Sequence, residues 1–460
     1  MQTPVDIPHN CSFPGTRICR RIMYRPSLQN PNEFFYYSQS HETSVASLLN
    51  RHLPITLPEY EPHLFRKQRF LKRFKTKCEP WTYEEYINSM DNSSKRNMYQ
   101  RVFDDIQQGR PIRGHICPFT KLEKVGTGSY KSPRLIQARH PSFNLAYGRF
   151  IKPLEKKLKH RPEFGKGTYD NIAAKIDKHS RKWKYYTELD HKVFDAHITV
   201  EMLKLIHNFY LSCYANNPEL LLLCKRTISN RAYGRHGEKY KIRGTRMSGD
   251  VDTSFGNCLL NYYILRSCLA DLGIECEIIV NGDDSIIFTN IPLDPATIKA
   301  ALRRYNMDAV ISPSVTSIHK VTFCRTKLVY HPNGHPTMMF DPIRLRKIYG
   351  MTYKNLTNKQ YKQYVMNVQH CNHTINSNSP LKYEWRILPD FNVAKLNDKQ
   401  LKRVFDRQQT NVPWPDKILT PSVVEAYPDF AIRKEHVYLP ELPKQKQVLI
   451  NHMIQEIMIL

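Results

Sequence analysis

Apolar residues recur at helical spacing through much of the chain, and shorter apolar runs read as strands. Between residues 66 and 77, Arg66, Lys67, Arg69, Lys72, Arg73, Lys75 and Lys77 are interleaved with Phe70, Leu71 and Phe74. That spacing predicts a helix that docks one face and turns its cations outward. A helical pattern runs from 81 to 106 through Tyr83, Tyr86, Ile87, Met90, Tyr99, Val102 and Ile106. Leu135 and Ile136 predict a short strand, and Phe143, Leu145, Phe150, Ile151 and Leu154 a helix over 143–158. A strand is expected over 185–190, then an amphipathic helix marked by Ile198, Met202, Leu205, Ile206 and Phe209. A loop leading into a helix follows over 244–265, a hairpin over 277–288, a helix over 295–305 and a β-like segment over 321–330. Beyond Asp341 the pattern is mainly helical and basic, and the apolar tip over 448–460 reads as packing material. Helices and strands mixed in this order predict an α+β fold rather than a regular βαβ array.

The hairpin carries the sharpest local chemistry. Ile278, Ile279 and Val280 form an apolar strand, Asn281-Gly282 begins a tight turn, and Ser285 to Phe288 returns. Asp283 and Asp284 sit at the turn, where adjacent carboxylates repel each other and a hard divalent cation such as magnesium would neutralise them. Asp190, at a strand end, and Asp195, five residues on, form a second acidic pair. If it faced the hairpin turn it could share the metal, and two ions about 3.5–4 Å apart would clamp an in-line phosphoryl displacement. Small residues at Ser248 and Gly249 would let the backbone approach a ligand, while Thr253 and Asn257 share a helical face and could bind a sugar hydroxyl. Lys131 and Arg134 flank a proline-stiffened turn and Arg139 follows the strand, where they could hold a triphosphate. Each feature alone is as readily a surface, capping or turn feature.

Charge then narrows the partner class. Lys and Arg total 69 against 42 Asp and Glu, a formal net charge of +27, which favours a polyanion and above all nucleic acid. Hydrophobic residues at 41% supply a sizeable core across 460 residues. No stretch approaches 18 uninterrupted apolar residues, and the first ten lack the charged lead and apolar run of a signal peptide. The 11 cysteines include no Cys-x-x-Cys pair, which suits a reducing compartment. His370, Cys371 and His373 look like half a zinc site with no second half and are read as a surface loop.

The order of the elements (cations, Asp-x4-Asp, Ser-Gly loop with Thr and Asn, Gly-Asp-Asp hairpin) resembles the viral RNA-dependent RNA polymerases. The likeness is to the tombusvirus and carmovirus group of positive-strand RNA viruses. It rests on residues 119–124, 133–139 and 144–150, on Arg246-Met-Ser-Gly-Asp250 with Thr253 and Gly256-Asn257, and on Phe323-Cys324. The resemblance is good over 115–350 and loose in the flanks. It implies a right hand of fingers, palm and thumb, the palm an antiparallel sheet backed by helices. Residues 1–112 would be an N-terminal extension and part of the fingers, and 113–184 fingers with the cationic nucleotide-entry motif. Residues 185–330 would be palm with an inserted fingers segment, and 331–460 a mainly helical thumb.

The same resemblance implies template-directed RNA synthesis from ribonucleoside triphosphates. Asp190, Asp283 and Asp284 would hold two Mg2+ ions, with Mn2+ as a substitute. Asp195, Ser248, Gly249, Thr253 and Asn257 would meet the nucleotide and its ribose 2′-hydroxyl, and Lys124, Lys131, Arg134 and Arg139 the phosphates. Partners would be RNA template and product, the triphosphates, and a viral membrane-anchored replication protein holding the enzyme at replication membranes in the host cytoplasm.

Two departures stand out. Asp190 is followed by His-Lys-Val-Phe-Asp195 where the family's pattern is closer to Asp-x-Ser-Arg-Phe-Asp, so the cation falls one place early, at Lys192. Residues 305–309 carry no lysine to protonate pyrophosphate, leaving Lys320, His319 and water as alternatives. Two other classes compete. A reverse transcriptase would share the aspartates, but Gly282 and Asp195 with Asn257 argue against it. A non-catalytic RNA-binding protein would account for the charge and leave the ordered motifs unexplained.

Overall fold

A computed structural model describes residues 34–126, 130–354, 356–385, 413–415 and 418–432, together with short strand pieces at 5–6, 19–21 and 23–24. The apolar tip over 448–460 lies outside them. The fold is α+β, built around a four-stranded antiparallel sheet in the order Cys276–Asn281, Asp284–Thr289, Tyr185–His191, Ala309–Ile311.

This central sheet is covered on both faces, which explains why its two hairpin strands carry the apolar runs Ile278–Val280 and Ile286–Phe288. Side chains alternate across a strand. Ile278, Val280 and Ile287 therefore join Leu189 in a core shared with helices Val200–Cys213, Thr253–Asp271 and Pro295–Arg304. Ile279, Ile286, Phe288 and Tyr186 point the other way, against Ile172, Ala173 and Ile176 of helix Tyr169–Ser180 and against Phe323, Leu328 and Met338. A second sheet of five strands contains Ile116–Thr120 and Leu135–Arg139 beside the hairpin Ser229–Tyr233/Lys239–Arg243. A three-stranded sheet, Thr322–Phe323, Thr326–Tyr330 and Pro336–Phe340, leads into the C-terminal part. That part includes helices Pro342–Ile348 and Asn358–Ile375, and a cluster around the fully buried Trp414.

Most of the predicted elements are present, with ends shifted by one or two residues: helix Pro141–Leu158 and strand Tyr185–His191 are longer than expected, and helix Pro295–Arg304 is one residue shorter. Two expectations are corrected. The cationic stretch 66–77 is not an α-helix; it holds one 3-10 turn, Leu71–Phe74, after another at Pro62–Phe65. In a 3-10 turn residues three apart eclipse, so Leu71 and Phe74 are buried together while all seven cations stay exposed. His370, Cys371 and His373 lie on helix Asn358–Ile375 rather than on a loop.

Candidate active site

The central strand Tyr185–His191 and the hairpin bring the acidic residues to one end of the sheet. Leu189 pairs with Ser285, the last register pair between the two, so Asp190 and Asp284 each lie one residue beyond it at the same end. The hairpin closes through Asn281 opposite Asp284, leaving Gly282 and Asp283 as a two-residue loop. Gly282 has φ +64°, which glycine adopts without the penalty a β-carbon would incur. Asp190, Asp283 and Asp284 are all exposed. Crowding by neighbouring chain, then the like charges of Asp283 and Asp190, push the Asp284 carboxyl above its ordinary range, with a hydrogen bond to Cys324 opposing.

These are hard oxygen donors in mutual repulsion, a donor set that fits a divalent cation such as magnesium. Among the described residues, however, no three His, Cys, Asp or Glu side chains are gathered tightly enough to ligate one ion. The carboxylates share an end of the sheet without closing into a ligand set.

Asp195 reaches the same region by a different route. Val193 takes a left-handed conformation, φ +51°, a costly one for a β-branched residue, and turns the chain from strand into the short helix Phe194–His197. There the Asp195 carboxylate accepts from Asn257 Nδ2 at 2.9 Å. Asn257 Oδ1 in turn accepts from Arg246 Nε at 3.0 Å, and Arg246 is ion-paired with Asp252 at 2.9 Å, both buried. Desolvation pushes the Asp195 carboxyl up to about 6; Asn257 and Arg246 oppose that rise, and Asp283 and Asp250 add to it. Thr253 opens the same helix, Thr253–Asp271, and its hydroxyl donates to the Met247 carbonyl at 2.8 Å.

Ser248 and Gly249 lie against strand Leu135–Arg139. The Ser248 hydroxyl donates to Leu135 O and accepts from Gln137 N, both at 3.0 Å, so strand Leu135–Arg139 occupies it. A β-carbon on Gly249 would stand 2.6 Å from Ala138 Cα, so the missing side chain lets that strand's backbone come close.

The cations divide in the same way. Arg139 is buried and donates to both carboxylate oxygens of Asp250, at 2.6 and 3.1 Å, so its guanidinium is engaged in an internal ion pair. Arg134 forks onto Glu123 and lies within electrostatic reach of Asp283, which helps hold its guanidinium protonated. Arg51 and Lys121 share that neighbourhood, both coupled to Arg134 and Glu123. Lys131 is exposed on the loop before the strand. Lys124 turns away, Nζ donating to Ile348 O at 3.4 Å, and burial and Arg344 lower its pKa.

Several residues escaped the sequence reading. Arg51 had no local signal. Asn261 lies one turn beyond Asn257 on the same helix, so helical spacing from Asn257 would have found it. The turn after Phe323 is made by Cys324 and Arg325, both left-handed at φ +50° and +64°, and a cavity of about 430 Å³ opens beside Arg325, Arg344 and Tyr427.

A family model described as viral RNA-dependent RNA polymerase matches residues 51–413. The chain belongs to this family. Relatives of the polymerase family, each named RNA-directed RNA polymerase, come from plant viruses. That of Groundnut rosette virus (strain MC1) is 31% identical over 283 residues, covering 56% of this chain and 33% of the relative. Those of Turnip crinkle virus and Tobacco necrosis virus (strain A) are 29% and 27% identical over 60% and 66% of this chain, covering 38% and 44% of the relatives. The chain thus spans about a third of the length of several curated polymerases it matches.

Proposed function

We propose that this chain catalyses template-directed synthesis of RNA on an RNA template, from ribonucleoside triphosphates, in replication of a positive-strand RNA virus. The observation that carries the reading is the meeting of Asp190, Asp283 and Asp284 at one end of the antiparallel sheet, with Asp195 and Asn257 alongside. In this reading the sheet is the palm of a right hand, within 185–330. Fingers come from 113–184 and part of 1–112, and the thumb from 331–460.

Asp190, Asp283 and Asp284 would hold two Mg2+ ions, with Mn2+ as a substitute. When bound, such ions stabilise charge on the attacking and leaving oxygens of a phosphoryl transfer. The chain's own part is positioning and charge. Asp195 and Asn257 present a carboxylate and an amide to a ribose 2′-hydroxyl. Arg134 and Lys131, with Arg51 and Lys121 nearby, offer cations to the triphosphate, which must compete with Glu123 for Arg134. The remaining basic surface grips RNA backbones without reading bases. Among the described residues no helix is long and apolar enough to cross a membrane. The reading also includes attachment to replication membranes in the host cytoplasm through a membrane-anchored viral partner.

The test is incorporation of labelled ribonucleotides on a defined RNA template. Asp283→Ala should lower it by about a hundredfold or more while leaving template RNA affinity in place. Undiminished synthesis by that variant would remove the basis of the reading.

A further inference from the structure

The sheet's own hydrogen bonds stop short of the acidic residues. The ladder between the central strand and the hairpin ends at Leu189 and Ser285. Beyond it Asp190 and His191 pair with Val310 and Ala309 on the opposite side. The ladder thus brings Asp190 to the end of the sheet where the turn lies, but no ladder pair joins Asp190 directly to Gly282 or Asp283.

A single amide spans that gap. Asn261, fully buried on helix Thr253–Asp271, donates from Nδ2 to Gly282 O at 3.1 Å and to Asp283 O at 3.2 Å. With both carbonyls facing Nδ2, the amide orientation is set by the network and Oδ1 is left to accept. It does so from His191 Nε2 at 2.8 Å. His191 adjoins Asp190 in sequence and is itself buried, with Nδ1 unpartnered among the described residues. A third support comes from Cys258, one turn earlier, whose Sγ accepts from Gly282 N at 3.1 Å. Asn257 and Asn261 lie four apart on the helix, so one face addresses both Asp195 and the acidic turn.

We infer that the His191–Asn261 pair is a positioning clamp that sets the distance between Asp190 and the Gly282-Asp283 turn, and so tunes how these carboxylates share divalent cations. The inference rests on the polymerase reading for what the cations do, but the clamp's effect on cation binding can be measured without synthesis. It also gives a use to His191, which fills the unspecified position directly after Asp190. An imidazole after Asp190 can reach the helix amide from the buried side of the strand, while Asp190, the residue before it, points to the opposite face.

The full chain is compared with Asn261→Leu, which keeps the volume and removes all three bonds, and with His191→Gln and His191→Leu. The glutamine amide can replace the Nε2 donor; the leucine cannot. Mn2+ binding is read directly by electron paramagnetic resonance, and ribonucleotide incorporation is read as kcat and KM. Asn261→Leu and His191→Leu should weaken Mn2+ binding by about tenfold to a hundredfold. They should lower kcat by roughly a hundredfold, with KM for nucleotide changed by less than about twofold. His191→Gln should stay within about threefold of wild type in both readouts. Wild-type Mn2+ affinity in Asn261→Leu, or equal losses in His191→Gln and His191→Leu, would overturn the clamp. Should Asn261→Leu fail to fold, the two His191 variants decide. If the wild-type chain binds Mn2+ but makes no RNA, the polymerase reading fails, and the Mn2+ comparison still decides the clamp.

Discussion

Replacing Asp195 by asparagine should make the protein more stable, and only above a particular pH. The carboxyl's pKa rises from its ordinary 3.8 to about 6 because enclosure beside Phe194, Asn257 and the Arg246–Asp252 pair disfavours the ionised form more than Arg246 favours it. Below about pH 4 the group is protonated in folded and unfolded chains alike and has no effect. As pH rises through 4 to 6 the unfolded chain ionises first, so the folded state loses stability; above about 6 both are ionised and the loss is constant. The full rise is worth at most about 3 kcal/mol at about 1.4 kcal/mol per pH unit.

Asn257 Nδ2 would retain an oxygen acceptor in Asp195→Asn, so the hydrogen bond survives while the charge goes. With an unfolding entropy of about 2.1 cal/mol/K per residue over the whole chain, about 3 kcal/mol is about 3 °C in melting temperature. The assay is the difference in melting temperature between Asp195→Asn and wild type from pH 4 to 8. It should grow by up to about 3 °C between pH 4 and 6, then level off. The same variant should discriminate less between ribo- and deoxyribonucleotides at pH 8, where wild type carries the charge. A temperature difference that does not change with pH, or that falls as pH rises, would refute the reasoning.

Arg139→Ala should leave the buried Asp250 unpaired and destabilise the fold by about 3–5 kcal/mol. In a double-mutant cycle by chemical denaturation, Arg139→Ala with Asp250→Ala should cost well under the sum of the two single losses. Equal, independent losses would return Arg139 to the surface role the sequence suggested. Gly249→Ala places a methyl 2.6 Å from Ala138 Cα and 2.8 Å from Gln137 O, backbone atoms that cannot swing aside. It should cost about 1–3 kcal/mol in thermal unfolding and lower synthesis by shifting the helix that carries Asn257 and Asn261.

What the sequence made legible follows a physical line. A sheet buried on both faces writes itself as apolar runs, so Ile278 to Val280 and Ile286 to Phe288 could be read directly, and the turn between them had one acidic pair and one glycine to place. Short partners were harder. Ala309–Ile311 is three residues with Val310 exposed, too brief to show a period. The hairpin Ser229–Tyr233/Lys239–Arg243 alternates buried with exposed positions, but its exposed side is so polar that the pattern resembles a loop.

The harder distinction lay among charges of the same type. Arg134 and Arg139 stand at the two ends of one stretch, and nothing in their spacing separates a cation facing the acidic turn from one locked in the core. The deciding residue for Arg139 is Asp250, 111 positions away, and for Arg134 it is Glu123, on the adjoining loop. A basic excess of +27 therefore sets the class of partner but not the list of contacts. An ion pair buried on both sides holds its cation inside the fold, whereas a half-exposed pair such as Arg134–Glu123 leaves a cation that, in the proposed reaction, a triphosphate would recruit by displacing the carboxylate. The chemistry of the site is legible from residue types in order; its assignment to particular side chains depends on which of them the fold has already neutralised.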